Sequence, residues 1–233
     1  MPTLLMRLAG PMQSWGTESR FSIRDAGREP SKSGVIGLLC AAMGKPRFES
    51  PDDGFPSLSK LASLKMGVRV DSEGVLKRDF HTAGGSHRRG EKYGVAKADG
   101  SKPGTVVSTR WYLSDASFLV GLESEDADLL RYLDVAIANP QWQLSLGRKA
   151  FAPSMPVRLK DGLRQEPLRE VLGNYPWDGS VLKESPERLR AVLDATPETA
   201  SEVRHDLPLS FAARRFTIRY VITDFISFPK GGE

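Results

Sequence analysis

The chain has 233 residues, 39% of them hydrophobic and 27% charged, with a formal net charge of +4. This balance describes a globular chain able to bury a core without cross-links, and it excludes the disordered class. The lone Cys40 excludes an internal disulfide, and three scattered histidines without a Cys-x-x-Cys pair give no metal-ligand spacing.

The first element expected is a strand over Thr3 to Ala9, where Leu4, Met6 and Leu8 alternate with Leu5 and Arg7. A helix follows Pro30: Ser31-Lys32-Ser33 caps it, Val35, Ile36, Leu38, Leu39, Ala42 and Met43 form its apolar stripe, and Gly44 stops it. Leu64 to Asp71 alternates again and reads as a second strand. Residues 81–111 then interrupt the pattern with Gly-rich, polar sequence, and the β-patterned Thr105 to Tyr112 after Pro103-Gly104 makes this an extended hairpin. Ala116 to Leu122 is a third strand, and a helix from Ser124 to Asn139-Pro140 carries carboxylates in its first turn, where they suit the helix dipole. Leu159 to Leu209 has no clean period and is expected to be irregular, with a short helix near Glu187 to Ala195. Phe216 to Ile222 closes the series as a strand.

The order strand, helix, strand, insertion, strand, helix, strand predicts an α+β chain with a ferredoxin-like, split βαβ core. Its helices are expected on one face of the sheet. The core with its insertion spans 1–158, a peripheral region 159–209, and a strand that closes or extends the sheet 210–233. No apolar run reaches the length of a membrane span, and the opening is too short in apolar residues for a secretory signal. The expectation is therefore a cytoplasmic chain with no membrane contact, metal or cofactor.

Charge is segregated along the chain. Residues 81–112 hold six Lys and Arg against two acids, a local balance of +4, whereas residues 115–134 hold one Arg against six acids. A basic loop beside an acidic helix suggests one side that faces a polyanion, although charged loops are also commonly just solvated.

The opening Leu4-Leu-Met-Arg-Leu-Ala-Gly-Pro-Met-Gln-Ser-Trp-Gly16, followed by Pro30-Ser-Lys-Ser-Gly-Val-Ile-Gly-Leu-Leu39, can be read as a capped helix after a turn or as a helix N-terminus offering amides and Lys32 to a phosphate. Together with Phe80-His-Thr-Ala-Gly-Gly85, Arg110-Trp-Tyr-Leu-Ser-Asp-Ala-Ser-Phe118 and Leu146-Gly-Arg-Lys-Ala-Phe-Ala-Pro-Ser-Met-Pro-Val157, it resembles the CasD subunits of Cascade, the type I-E CRISPR surveillance complex, within the Cas-five family of CRISPR-associated proteins. Phe151 stands where relatives often have Cys, and Leu159 to Leu209 shares little with them.

The resemblance implies a modified RNA-recognition-motif-type fold with a thumb-like hairpin that holds the single-stranded 5′ handle of the CRISPR RNA (crRNA). It implies as neighbours the backbone subunit CasC and the large subunit CasA, with target DNA met only through the assembled complex. Resemblance and chemistry together place Gln13 and Trp15 in a handle-facing loop, Lys32 and Ser33 at phosphate, and Arg88, Arg89 and Lys92 on the thumb. Arg110 and Arg148 are further backbone contacts, while His81, Trp111 and Tyr112 stand at the base of the loop. Trp15 and Trp111 can equally be core or interface aromatics, and Arg148 can brace a turn.

Two other functions remain open at this level. Some relatives resemble metal-independent endoribonucleases that process repeat RNA, and His81, His87, Lys92 and Tyr93 nominally supply a base, an acid and a cation. Against this, a Gly-rich loop holds proton-transfer geometry poorly. The other function is a structural assembly subunit whose basic loop meets acidic protein. The paired sheet aromatics of the RNA-recognition signature are missing, so RNA contacts are expected from loops and helix ends.

Overall fold

A computed structural model describes the chain except for residues 19–21, 51–52, 85–93, 97–99, 102, 178–185 and 229–233. The elements in chain order are β1 (Thr3–Gly10), β2 (Ile23–Arg24), α1 (Lys32–Met43), α2 (Leu58–Ala62), β3 (Lys65–Ser72), β4 (Val75–Ala83), β5 (Val106–Ser114), β6 (Ala116–Glu123), α3 (Ala127–Ala138), β7 (Arg158–Arg164), α4 (Leu168–Asn174), β8 (Leu189–Asp194), β9 (Glu202–Ser210) and β10 (Arg215–Ile226). The fold is mixed α+β. Among the described residues no helix is long and apolar enough to cross a membrane.

Among the described residues seven strands form one sheet in the order β7-β1-β6-β3-β8-β10-β9, and a smaller sheet has the order β2-β5-β4. In the large sheet β1 and β3 each pair antiparallel with β6, which places Leu4 opposite Leu122 and Met66 opposite Leu122 on the other side. Leu4, Met6 and Leu8 then point to one face, where they pack with Ile36 and Leu39 of α1 and Leu130 and Leu133 of α3. That face carries the larger core.

The opposite face is also covered. Leu5 and Leu119 pack there against Leu168 and Leu172 of α4 and Leu193 of β8. The expectation of a sheet covered on one side is thus corrected: α4 supplies a second, smaller core, and the central strands are buried on both faces. Arg69, fully buried on this side, pairs with Asp71 and donates to the carbonyls of Leu172, Tyr175 and Pro176. A guanidinium so placed satisfies carbonyls left open where α4 ends.

Residues 159–209 also depart from expectation. They hold most of β7, all of α4 and β8, and β9 up to its last residue, rather than irregular chain, and the helix expected near Glu187 to Ala195 is the strand β8. The physical reason is its slot. Leu193 and Ala191 pair with Gly67 and Arg69 of β3 on one side and with Ile222 and Asp224 of β10 on the other. Ladder bonds on both edges outweigh the helix propensity of Leu, Arg and Ala. The strand beside β1 is accordingly β7, and β10 lies beyond β8.

Helix α1 follows its sequence signals closely. The Ser31 hydroxyl accepts from the Gly34 amide at 3.3 Å, and Gly44 closes the helix at φ 76°, a left-handed conformation that favours glycine. Ser31→Ala is expected to cost about 1 kcal/mol in urea unfolding while Ser31→Thr restores most of it, since threonine keeps the hydroxyl that accepts from the Gly34 amide. In α3 the cap is Asp126, whose carboxylate accepts from the Leu129 amide at 2.9 Å, while Ser124, two residues earlier, accepts from the Asp126 amide through its hydroxyl.

Candidate nucleic-acid interface

Strands β4 and β5 form the arms of a hairpin in register from Val75 opposite Ser114 to Ala83 opposite Val106. An isolated antiparallel bridge between Val95 and Gly104 lies farther along it. The pleat puts Lys77, Asp79 and His81 on one face with Tyr112, Arg110 and Ser108. Trp111 and Arg78 occupy the other face.

Three other segments meet the base of this hairpin. Gln13 bridges Leu113 through the backbone, its side-chain amide donates to the carbonyls of Leu8 at 3.2 Å and Ala116 at 2.7 Å, and its oxygen accepts from the Trp15 indole at 3.0 Å. The Ser14 hydroxyl donates to the carbonyls of Trp111 and Asp25, and its amide donates to Leu146. Gly147 sits against this turn at φ 89°, where a Cβ would lie 1.8 Å from the Ser14 carbonyl oxygen, so only glycine fits. Strand β2 pairs in parallel with β5 and sets Arg24 beside Arg110.

The result is a cluster of Arg24, Arg110 and Arg148. The Arg148 guanidinium donates to the Arg24 carbonyl at 3.4 Å and lies over the Phe151 ring, 5.5 Å from its centroid. Phe151 in turn packs against Tyr112. Partial burial, then repulsion from Arg110, pushes the Arg148 pKa down, with Asp79 and Asp25 opposing. Those carboxylates are themselves engaged, Asp25 by the amides of Thr17 and Glu18 and Asp79 by the His81 ring at 3.4 Å. A guanidinium crowded by like charge gains stability from an incoming phosphate, which makes this cluster the best-defined candidate for a polyanion site among the described residues.

The residues expected at a nucleic-acid surface are thus distributed unevenly. Arg110 and Arg148 come together, His81 lies farther along the Arg110 face, half-buried beside Asp79, and Trp111 is turned to the opposite face. Arg88, Arg89 and Lys92, like His87 and Tyr93, lie outside the described residues. Gln13 and Trp15 are corrected: both are buried, and their side chains hold the loop rather than face a ligand. Lys32 is corrected as well. Its ammonium lies 2.8 Å from Asp194 and its amide donates to Asp206 at 2.8 Å, so the start of α1 is already met by the protein's own carboxylates. Burial pushes the Lys32 pKa down although Asp194 and Asp206 pull it up. Ser33 is half-buried, 3.4 Å from the Ser31 hydroxyl. Arg24 was not expected; its only sequence signal is the short alternation Ser22-Ile23-Arg24 within a loop.

A family model described as CRISPR-associated protein (Cas_Cas5) matches residues 3–222. The chain is 33% identical over 193 residues to the CRISPR system Cascade subunit CasD of Escherichia coli strain K12, an alignment covering 78% of this chain and 80% of the relative. A solved structure described as the crystal structure of a Cas protein superposes with a TM-score of 0.74 at 42% identity, covering 98% of both chains. A chain from a CRISPR RNA-guided surveillance complex superposes with a TM-score of 0.73 at 34% identity, covering 97% of this chain and 91% of that one.

Proposed function

The chain belongs to the CRISPR-associated Cas5 family, and from that premise we propose that it is a crRNA-binding subunit of a Cascade-type surveillance complex, holding the single-stranded 5′ handle. The observation that carries the handle assignment is the Arg24, Arg110 and Arg148 cluster at the base of the β4–β5 hairpin, with the hairpin acting as the thumb. Three guanidiniums presented by three separate segments suit a bent single strand, whose phosphates follow no helical repeat. In this reading the antiparallel order β7-β1-β6-β3, with α1 and α3 as crossovers, is the ferredoxin-like core on which the thumb is mounted.

The same reading gives the subunit a binding task and no catalytic one, with a backbone subunit of the CasC kind and a large subunit of the CasA kind as neighbours. Kinship with a chain described as a Cascade subunit supports it.

The test is RNA affinity as a function of salt. Wild-type chain and the triple variant Arg24→Ala, Arg110→Ala, Arg148→Ala are titrated into a labelled single-stranded RNA of handle sequence. Each lost phosphate contact flattens the plot of log affinity against log salt by about 0.7, so the triple variant is expected to lose about 2 from the slope. A slope and affinity equal to wild type would remove the cluster from the RNA path.

A further inference from the structure

Beside the start of the 146–151 loop lies a second open feature, a cavity of about 800 Å3. Its floor is helix α1 at Gly37 and Ala41, where the absence of large side chains leaves room, and its walls include Phe211 and Trp142. A Cβ on Gly37 would stand 3.9 Å from the Phe211 ring, so the ring rests against the floor. Trp142 is 51% exposed, yet its position is fixed by the backbone, because its amide donates to the Ala41 carbonyl and that of Gln141 to Ala42. An indole on an anchored backbone with half its surface in water is an available stacking platform.

Two cations complete the rim. Arg47 and Lys149 are exposed and have no ion-pair partner among the described residues. Lys45, by contrast, is buried and already paired with Glu49 and Asp53, each at 3.1 Å. A nucleotide uses both the cations and the hollow between Trp142 and Phe211, since a planar base and an adjoining phosphate are covalently one ligand. Connectivity favours the nucleotide as well. Lys149 lines this cavity while Arg148, its chain neighbour, turns to Arg24, so one loop borders both sites.

We propose that this groove seats one unstacked nucleotide of the bound RNA, its base against Trp142 in the hollow beside Phe211 and its phosphate between Arg47 and Lys149. The inference rests on the RNA-binding reading above and extends the path of the strand past the Arg148 loop onto α1.

The experiment is a cycle between protein and RNA. The full chain, Trp142→Ala and Trp142→Phe are titrated against a labelled single-stranded handle RNA and a set of copies, each with one abasic position. Trp142→Ala is expected to weaken binding about tenfold with the salt slope unchanged, Trp142→Phe to retain most of the affinity, and a single abasic position to give the same loss on wild type but no further loss on Trp142→Ala. Wild-type affinity in Trp142→Ala, or full additivity at every abasic position, overturns the proposal. So does a Trp142→Ala chain that binds RNA normally but fails to join the assembled complex, which would make the groove a protein contact. The two readings fail separately: if only the triple arginine variant is impaired, the groove falls and RNA binding stands, and if the triple variant binds as wild type, the RNA path itself is wrong. Because Trp142 is half exposed, its variants are expected to unfold at the wild-type urea midpoint.

Discussion

Asp206→Ala is expected to lower the unfolding free energy by about 3–5 kcal/mol, because it breaks a buried network that ties both halves of the chain together. Asp206 is 1% exposed and accepts from Nε and Nη2 of Arg219, both at 2.7 Å, and from the Lys32 amide at 2.8 Å. Arg219 also reaches Asp194, whose other oxygen accepts from the Lys32 ammonium at 2.8 Å and the Met66 amide at 2.9 Å. One cluster therefore joins the start of α1, the start of β3, the end of β8, and β9 and β10. Removing Asp206 leaves the buried Arg219 with Asp194 as its one carboxylate partner among the described residues and uncaps the Lys32 amide.

The same residue gives a pH signature whose sign follows from its surroundings. Burial pushes the Asp206 carboxyl up, but the hydrogen bonds and charge of Arg219, with the Lys32 amide, outweigh it and hold the pKa below the usual carboxylate value. A depressed carboxylate contributes stability that is complete above its unfolded pKa of about 4 and is lost as the pH falls through the lower folded value. Urea unfolding of wild type and Asp206→Asn should show the wild-type advantage at pH 7 narrowing below about pH 4. An advantage that is constant from pH 7 to 3 would show that Asp206 acts through packing alone. The double variant Asp206→Leu, Arg219→Met should recover much of the loss, since two apolar groups leave fewer unpaired charges.

This network also explains which parts of the molecule the sequence could disclose. Strands β1, β3, β6 and β10 were legible because each alternates over six or more residues, and α1 because cap, stripe and stop signal agree. Strand β7, Arg-Leu-Lys-Asp-Gly-Leu-Arg, sits at the sheet edge beside β1 with a register shift, so no strong alternation marks it. Strand β8 reads equally as a helix, and only its slot between β3 and β10 decides. The site shows the same division. Arg110 and Arg148 lie in recognisable local motifs, whereas Arg24 joins their cluster through parallel pairing with β5, a contact no local pattern encodes. Lys32 has the residue type and helix position of a phosphate ligand, but its carboxylate partners lie 162 and 174 positions away in the chain.

Trp15→Ala is expected to cost about 3–5 kcal/mol and to weaken RNA binding, while Trp15→Phe costs about 1–2 kcal/mol and leaves RNA binding within about twofold of wild type. The indole is 2% exposed, and it fills the space beside Gly34, where a Cβ would come within 2.8 Å of the ring. Its N–H donates to Gln13, which pins the loop to Leu8 and Ala116. Phenylalanine keeps an aromatic ring against Gly34 and loses chiefly one hydrogen bond. Gln13 then still holds its two carbonyls, Ser14 still holds Trp111 and Asp25, and Arg24 stays beside Arg110. Alanine empties the space, frees the loop, and allows β2 with Arg24 to drift from the cluster, so affinity falls and the salt slope flattens together. A ring that touched a base directly would behave differently: Trp15→Ala would lose affinity without flattening the salt slope, since stacking on a base releases no counterions. Urea unfolding and salt-dependent RNA titration of both variants separate the two roles, and a loss of affinity in Trp15→Ala at unchanged slope would return Trp15 to the ligand-facing surface.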